Sequence, residues 1–195
     1  VSTRRDWLVR AARLGLTLSL GVVAACSSLP KSQGVAGDSF ARAGRFAITA
    51  TEADGRQQAV QGGFQWQDNG QEFVLDLTNP LGSTEARVQG RPGAAQLTRA
   101  NGSRLQANDP DTLAEDALGS PVPVSGLRDW LRGRLASEPA AQSVRRDEAG
   151  HLARFDQGGW SVQLSRYDSA GPQLLMLERQ EAGRRIVVRL VINPA

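Results

Sequence analysis

The sequence predicts a mainly β protein: a curved antiparallel sheet, interrupted once by two short helices. Three observations carry this. From Phe40 onward, apolar and polar residues alternate with period two in segment after segment, the pattern of strands with one buried face. The segments are separated by Asp54-Gly55, Asp68-Asn69-Gly70, Asn101-Gly102, Ala149-Gly150 and Ala182-Gly183, which supply the positive φ of tight hairpins. Only between about residues 109 and 133 do apolar residues recur at helical spacing.

The first 25 residues stand apart. Arg4, Arg5, Arg10 and Arg13 form a basic head, followed by the apolar run LGLTLSLGVVAA. This is an export signal, too short and too promptly ended to span a membrane stably. Arg4-Arg5 fits the n-region of a general secretory signal better than a twin-arginine signal. Val23-Ala24-Ala25-Cys26 resembles a bacterial lipobox, and Cys26 is the one cysteine in the chain. It has no partner for an internal disulfide, and triacylation accounts for both its position and its solitude. Ser27 and Ser28 follow; without an aspartate after the cysteine, the outer membrane is the expected destination. Residues 26–39 are small and polar and predict a flexible tether. Residues 40–195 are expected to form one domain.

Removing the signal changes the charge. Four of the 23 basic and one of the 20 acidic residues lie in it, which leaves 19 of each. The basic balance of the whole chain therefore gives no indication of nucleic-acid binding.

Within the domain, Phe46, Ile48 and Ala50 share one parity, as do Val60, Gly62, Phe64 and Trp66. Phe73, Leu75 and Leu77 form a third set, with Asp76 and Thr78 on the opposite face. The turn that follows, TNPLGSTE, holds Asn79, Pro80 and Gly82, all turn formers, yet it carries Leu81 near its tip. Asp109-Pro110-Asp111 begins a helix with an N-cap, a proline at the first position and an acid in the first turn. Leu113, Ala117 and Leu118 continue it, Gly119 ends it, and Pro121 and Pro123 prevent its extension. A second helix starts at Ser125, places Leu127, Trp130 and Leu131 on one face and ends near Gly133. Both are too short to be stable alone, so each must lay its apolar face on the sheet. Strands resume with Trp160, Val162 and Leu164, then LLMLER and RRIVVRLVI.

The residues of a catalyst are missing. His151 is the one histidine, beside a turn, and reads as a solvated loop residue. With a single histidine and a lipidated cysteine, no usual zinc site is expected. No Walker loop, dinucleotide fingerprint or nucleophile elbow occurs. Glu115-Asp116 and Asp147-Glu148 are sequence neighbours that point apart, not a catalytic pair. Asn101-Gly102-Ser103 reads as a hairpin turn despite fitting a glycosylation sequon. No cofactor or metal is expected, and apolar display remains as the functional resource.

The segments RAGRFAI, FQWQDNG, LDLTNPLGSTE, NDPDTL, ALGSPVPVSGLRDWLRG and GGWSVQLSRYD, in that order, resemble the outer-membrane lipoprotein receptor family LolB. They run from about Arg42 to Asp168; TNPLGSTE and the P-V-P-V-x-x-L-x-x-W-L-x-G stretch are the specific parts. The chain ends in VINPA, where a closing tryptophan would be expected nearby. The resemblance implies an incomplete, half-open antiparallel β-barrel covered by short helices, with a hydrophobic cavity between sheet and helices. It implies a non-enzymatic monomer, lipid-anchored on the periplasmic face of the outer membrane. Such a protein would take acylated lipoproteins from the soluble carrier LolA and insert them into the inner leaflet of that membrane.

For that task the cavity lining would be drawn from Phe46, Phe64, Trp66, Leu75, Leu77, Leu97, Leu127, Trp130, Leu131, Trp160, Val162 and Met176, with ordinary core packing as the alternative for each. Arg128, Arg132 and Arg134 flank the second helix, either as a solvated face or facing lipid phosphates or an acidic rim on the carrier. Pro80, Leu81 and Gly82 form the expected transfer loop, with Leu81 exposed; the alternative is a leucine folded back on its own hairpin. Two other classes share the half-barrel expectation or the anchor: a lipid-sensing envelope lipoprotein, and a structural subunit of an outer-membrane complex. An esterase using His151 is the reading with least support.

Overall fold

The computed structural model describes residues 39–195; the expected signal, Cys26 and nearly all of the tether lie outside the described residues. The chain runs β1 (Phe40–Thr51), β2 (Gln57–Asp68), β3 (Phe73–Thr78), β4 (Thr84–Arg91), β5 (Ala94–Arg99), β6 (Arg104–Ala107), α1 (Pro110–Leu118), α2 (Val124–Trp130), β7 (Gln142–Arg146), β8 (Leu152–Gln157), β9 (Trp160–Asp168), β10 (Gly171–Glu181) and β11 (Arg184–Ile192). The inner strands take the period-two burial that their sequence dictates, strictly in β3, where Phe73, Leu75 and Leu77 are buried; the edge strands β6 and β7 bury no residue.

The strands form one antiparallel sheet in the order β6-β5-β4-β3-β2-β1-β11-β10-β9-β8-β7. Two hairpin meanders are thus joined by the pairing of the first and last strands, in register from Gly44 opposite Ile192 to Thr51 opposite Arg185. The sheet does not close. Its edges, β6 and β7, are consecutive in the chain, and the segment linking them carries both helices. The half-open barrel with a helical cover is the architecture found. Ile192 is buried and Asn193 N donates to Ala43 O at 2.9 Å, so β11 packs fully without a tryptophan beside it.

Two phenylalanine–glycine pairs shape the junction of β1 and β2: Phe46 lies opposite Gly62, and Gly44 opposite Phe64. A Cβ on Gly62 would lie 2.1 Å from Thr78 O, and one on Gly44 2.2 Å from Val191 O. Only glycine permits these close approaches, and each ring covers the bare backbone opposite it. Val60 shares the inward parity but is exposed, because β3 extends along β2 only as far as Gly63 and leaves Val60 with a strand on one side alone. Met176 is a correction to the expected lining. It alternates with buried Leu175 and Leu177 and pairs with exposed Gln163 and Arg189, so it lies on the outer face.

The helix signals hold. Asp109 Oδ1 and Oδ2 accept from Asp111 N at 3.1 Å and Thr112 N at 3.3 Å, and Gly119 ends α1 with φ 69°. α2 starts one residue earlier than expected and has no side-chain cap of its own. Asp111 of α1 caps it instead, accepting from Ser125 N at 2.7 Å and Ser125 Oγ at 2.8 Å.

A buried clamp ties the two meanders near the chain's end. Arg42 Nη1 donates to Asp168 Oδ1 and Oδ2 at 3.0 and 3.1 Å, and Nη2 to Pro172 O at 3.1 Å. Asp168 also accepts from the amides of Ala170, Gly171 and Ala195. Burial by itself would raise its pKa, but Arg42 and the amides outweigh it and hold the carboxyl at about 2. A carboxyl depressed in the folded state stabilises above its unfolded value of 3.8 and loses that contribution as pH falls toward 2. Asp168→Asn is therefore expected to cost about 1–2 kcal/mol at neutral pH and to flatten the stability curve between those two pH values. Chemical denaturation as a function of pH checks both.

Candidate functional site

The inner face of β1–β3 and β11 meets the helical segment around an apolar cavity of about 30 Å³. From the expected lining, Phe46, Phe64, Trp66, Leu75 and Leu77 reach it from the sheet, and Leu127 and Leu131 from α2 and its end. Ile48, Val188, Leu190, Leu118 and Val122 complete the wall. Leu97, Trp130, Trp160 and Val162 are buried in the same core but do not line this cavity. Trp66 stacks on Phe73 with centroids 4.6 Å apart, and Trp130 meets Phe155 edge-on at 5.7 Å.

A cavity of about 30 Å³ has no room for an acyl chain. Polar contacts beside it tie the helical segment to the sheet. Asp68, at the end of β2, has a fully buried side chain. It accepts from Arg128 Nε at 2.8 Å and Nη2 at 3.0 Å, from Arg132 Nη1 at 2.9 Å and from Gly70 N at 2.7 Å. Burial would raise this carboxyl, but the two arginines and the Gly70 amide hold it below the usual range. Arg128 also donates to Gly70 O at 2.7 Å, and the Arg132 guanidinium lies 4.1 Å from the Phe40 ring centroid. These two arginines are thus neither a solvated face nor free for lipid phosphates. Arg134 pairs with Asp129 at 3.3 Å on the surface.

Past α2, Gln157 of β8 plays the matching part. Its Oε1 accepts from Trp130 Nε1 at 2.9 Å and Ala136 N at 3.2 Å, and its Nε2 donates to Ala136 O at 2.8 Å and Pro139 O at 2.7 Å. Every polar atom of this buried amide is used. The sequence assigns Gln157 no role and Asp68 only a place in a hairpin turn; the signal for more is the i, i+4 spacing of Arg128 and Arg132, at and just past the end of α2.

The transfer-loop residues lie at the β3–β4 turn. Asn79 organises it: Oδ1 accepts from Leu81 N and Ser83 N at 3.0 Å each, Nδ2 donates to Glu85 at 2.7 Å, and its backbone O accepts from Gly82 N at 2.9 Å. Gly82 takes φ 92°, which a residue with a Cβ adopts rarely. With Pro80 fixing the preceding position, the turn presents Leu81 at 93% exposure. Leu81 does not fold back on the hairpin. His151 is exposed, stacks on Tyr167 at 4.3 Å and lies 3.3 Å from Asp147.

Residues 38–194 match the family model described as outer membrane lipoprotein LolB. The chain is 66% identical over 179 residues to the outer-membrane lipoprotein LolB of Bordetella parapertussis, covering 91% of this chain and 90% of that protein. It is 60% identical to the protein of that name from Bordetella petrii (88% and 87% covered) and 40% identical to that from Cupriavidus necator (87% and 89%). A solved LolA superfamily protein from Nitrosomonas europaea aligns over 81% of this chain and 86% of its own at 10% identity, with a TM-score of 0.43; so loose a likeness carries no weight.

If the Asp68 cluster keeps α2 down, Asp68→Asn removes the carboxylate that Arg128 and Arg132 share. The variant is expected to lose about 2–3 kcal/mol in denaturant unfolding and to bind an apolar fluorescent dye more readily than the parent. Dye binding equal to the parent's in the folded variant would rule out a role for the cluster in closure.

Proposed function

The chain belongs to the LolB family of outer-membrane lipoproteins, and on that premise we propose that it receives acylated lipoproteins from the periplasmic carrier LolA and inserts them into the inner leaflet of the outer membrane. The work is binding and release, not catalysis. Cys26, as the acylated anchor, would hold the domain at the periplasmic face of that membrane. Residues 1–25 would be its removed signal and residues 26–39 its tether.

The physical problem is the acyl chain. Burying a methylene is worth about 0.8 kcal/mol, so a long chain in water costs on the order of 10 kcal/mol and must travel covered. The apolar wall of Phe46, Phe64, Trp66, Leu75, Leu77, Leu127 and Leu131 is suited to cover it. With only about 30 Å³ open, α1 and α2 must lift from the sheet before a chain can enter. The receiving state therefore differs from the one described by a movement of the helical cover, and Asp68 with Arg128 and Arg132 sits where that movement begins.

The observation that carries the delivery step is Leu81. A leucine at 93% exposure, on a turn stiffened by Pro80 and bonded through Asn79, adds nothing to the core. Its use lies outside the protein, in the membrane or along the acyl path. Burying such a side chain is worth about 2 kcal/mol, and a carboxylate in its place opposes entry. Leu81→Glu is expected to keep the parent's stability and its ability to take acylated protein from the carrier. It should lower the insertion of labelled lipoprotein into liposomes by tenfold or more, on the order of the transfer energy lost. Insertion at the parent's rate would overturn the reading.

A further inference from the structure

At the foot of the Leu81 turn, the outer face of the sheet is hollowed into a groove of about 650 Å³. Asn79, Pro80 and Gly82 form one wall, and β1, β2 and β11 the floor. The floor is low at Gly63, which shares the outward parity of Gln61 and places no side chain there. Two arginines line the groove, Arg45 of β1 and Arg189 of β11. Arg45 pairs with Val191, and Arg189 with Ala47, so the two are diagonal neighbours on one face.

Both are exposed, and among the described residues neither has a recorded hydrogen bond or ion pair. Two other outward arginines of the sheet are neutralised, Arg87 by a two-bond pair with Asp76 and Arg185 by one with Glu178; Arg45 and Arg189 are not. The groove itself contains no carboxylate. Glu85, at the base of the turn, is held by Asn79 Nδ2. A concave site with two uncompensated guanidinium groups, hydrogen-bonding side chains at Gln61, Thr78, Asn79 and Asn193, and no acid is complementary to a phosphate.

Position selects which phosphate. An apolar side chain at a membrane surface settles about 5–10 Å into the boundary between headgroups and acyl chains. With Leu81 there, the wall formed by its own neighbours places the groove at headgroup level. We infer that the groove of Arg45 and Arg189 is a lipid-headgroup site that binds the phosphate of an anionic phospholipid while Leu81 enters the bilayer. The inference rests on Leu81 entering the membrane, as proposed above. The headgroup fixes the orientation of the domain and the leucine supplies the depth. Each arginine near an anionic surface is expected to favour the docked state about fivefold at moderate salt, and the effect declines as salt shortens the Debye length.

The test uses the full-length acylated chain reconstituted in vesicles of phosphatidylcholine alone or with phosphatidylglycerol added. An environment-sensitive dye is attached through Ser83→Cys, and the parent chain taken through the same labelling reports any dye on Cys26. The expected result is a larger blue shift with phosphatidylglycerol than without it, reversed by salt. In Arg45→Gln/Arg189→Gln that difference disappears, while the signal in phosphatidylcholine is unchanged. If the double variant keeps the parent's preference for phosphatidylglycerol, the headgroup site is wrong and the Leu81 reading stands. If it loses signal equally in both vesicles, the groove serves something other than a charged headgroup, such as a protein partner, and the inference also fails. If the dye reports water in both vesicles in the parent, the Leu81 reading and this inference fall together.

Discussion

The pairing of the first strand with the last is the constraint on which the rest of the molecule depends. The ladder from Gly44–Ile192 to Thr51–Arg185 brings together residues that are nearly the whole domain apart, at a considerable cost in loop-closure entropy. In return it joins two local meanders into one sheet. It also puts the free edges at β6 and β7, the ends of a single connection. The segment between them has to bridge the open side, and α1 packs there against β4, β5 and β6. The Arg42–Asp168 clamp reinforces the same joint from the other end of β1. Cover, cavity and clamp thus follow from one long-range pairing.

Much of this is legible locally. The alternation in β1, β2, β3, β9 and β11 and the Asp-Gly and Asn-Gly turns need only neighbouring residues for their effect. So does α1, whose start at Asp109-Pro110 and stop at Gly119 are written in the backbone chemistry of those residues. Leu81 is legible for the same reason: Pro80, Gly82 and small polar neighbours leave a leucine nothing to fold onto. Illegible features depend on distance. In LLMLER four apolar residues stand in a row, so sequence period gives Met176 no face; its pairing with Gln163 and Arg189 decides. Asp68 meets Arg128 only because the cover lies over the β2–β3 hairpin, 60 residues away in sequence. Gln157 likewise acquires its role from Trp130 and the segment after α2.

The nature of the closing contacts suits the movement of the cover proposed above. Apolar contacts between the helices and the sheet are non-directional and weaken gradually. The Asp68 cluster is directional: four short hydrogen bonds to one carboxylate either exist together or fail together. A buried ion pair adds little net stability because of its desolvation cost. It would, however, separate a shut arrangement from an open one. The cavity wall beneath would contribute apolar area in both, facing the helices when shut and a guest when open.

The stiffness of the Leu81 turn has a consequence for timing. A flexible loop would lose conformational entropy on entering a bilayer, but this turn is already ordered by Asn79, Pro80 and Gly82 and loses almost none. One leucine still contributes only about 2 kcal/mol, a grip that favours contact thirtyfold or so and breaks quickly. Under the proposed function, a domain touching the membrane in this way would dip and withdraw many times while its anchor stayed in place. Each visit would be independent of the last, and one molecule could turn over a succession of cargoes.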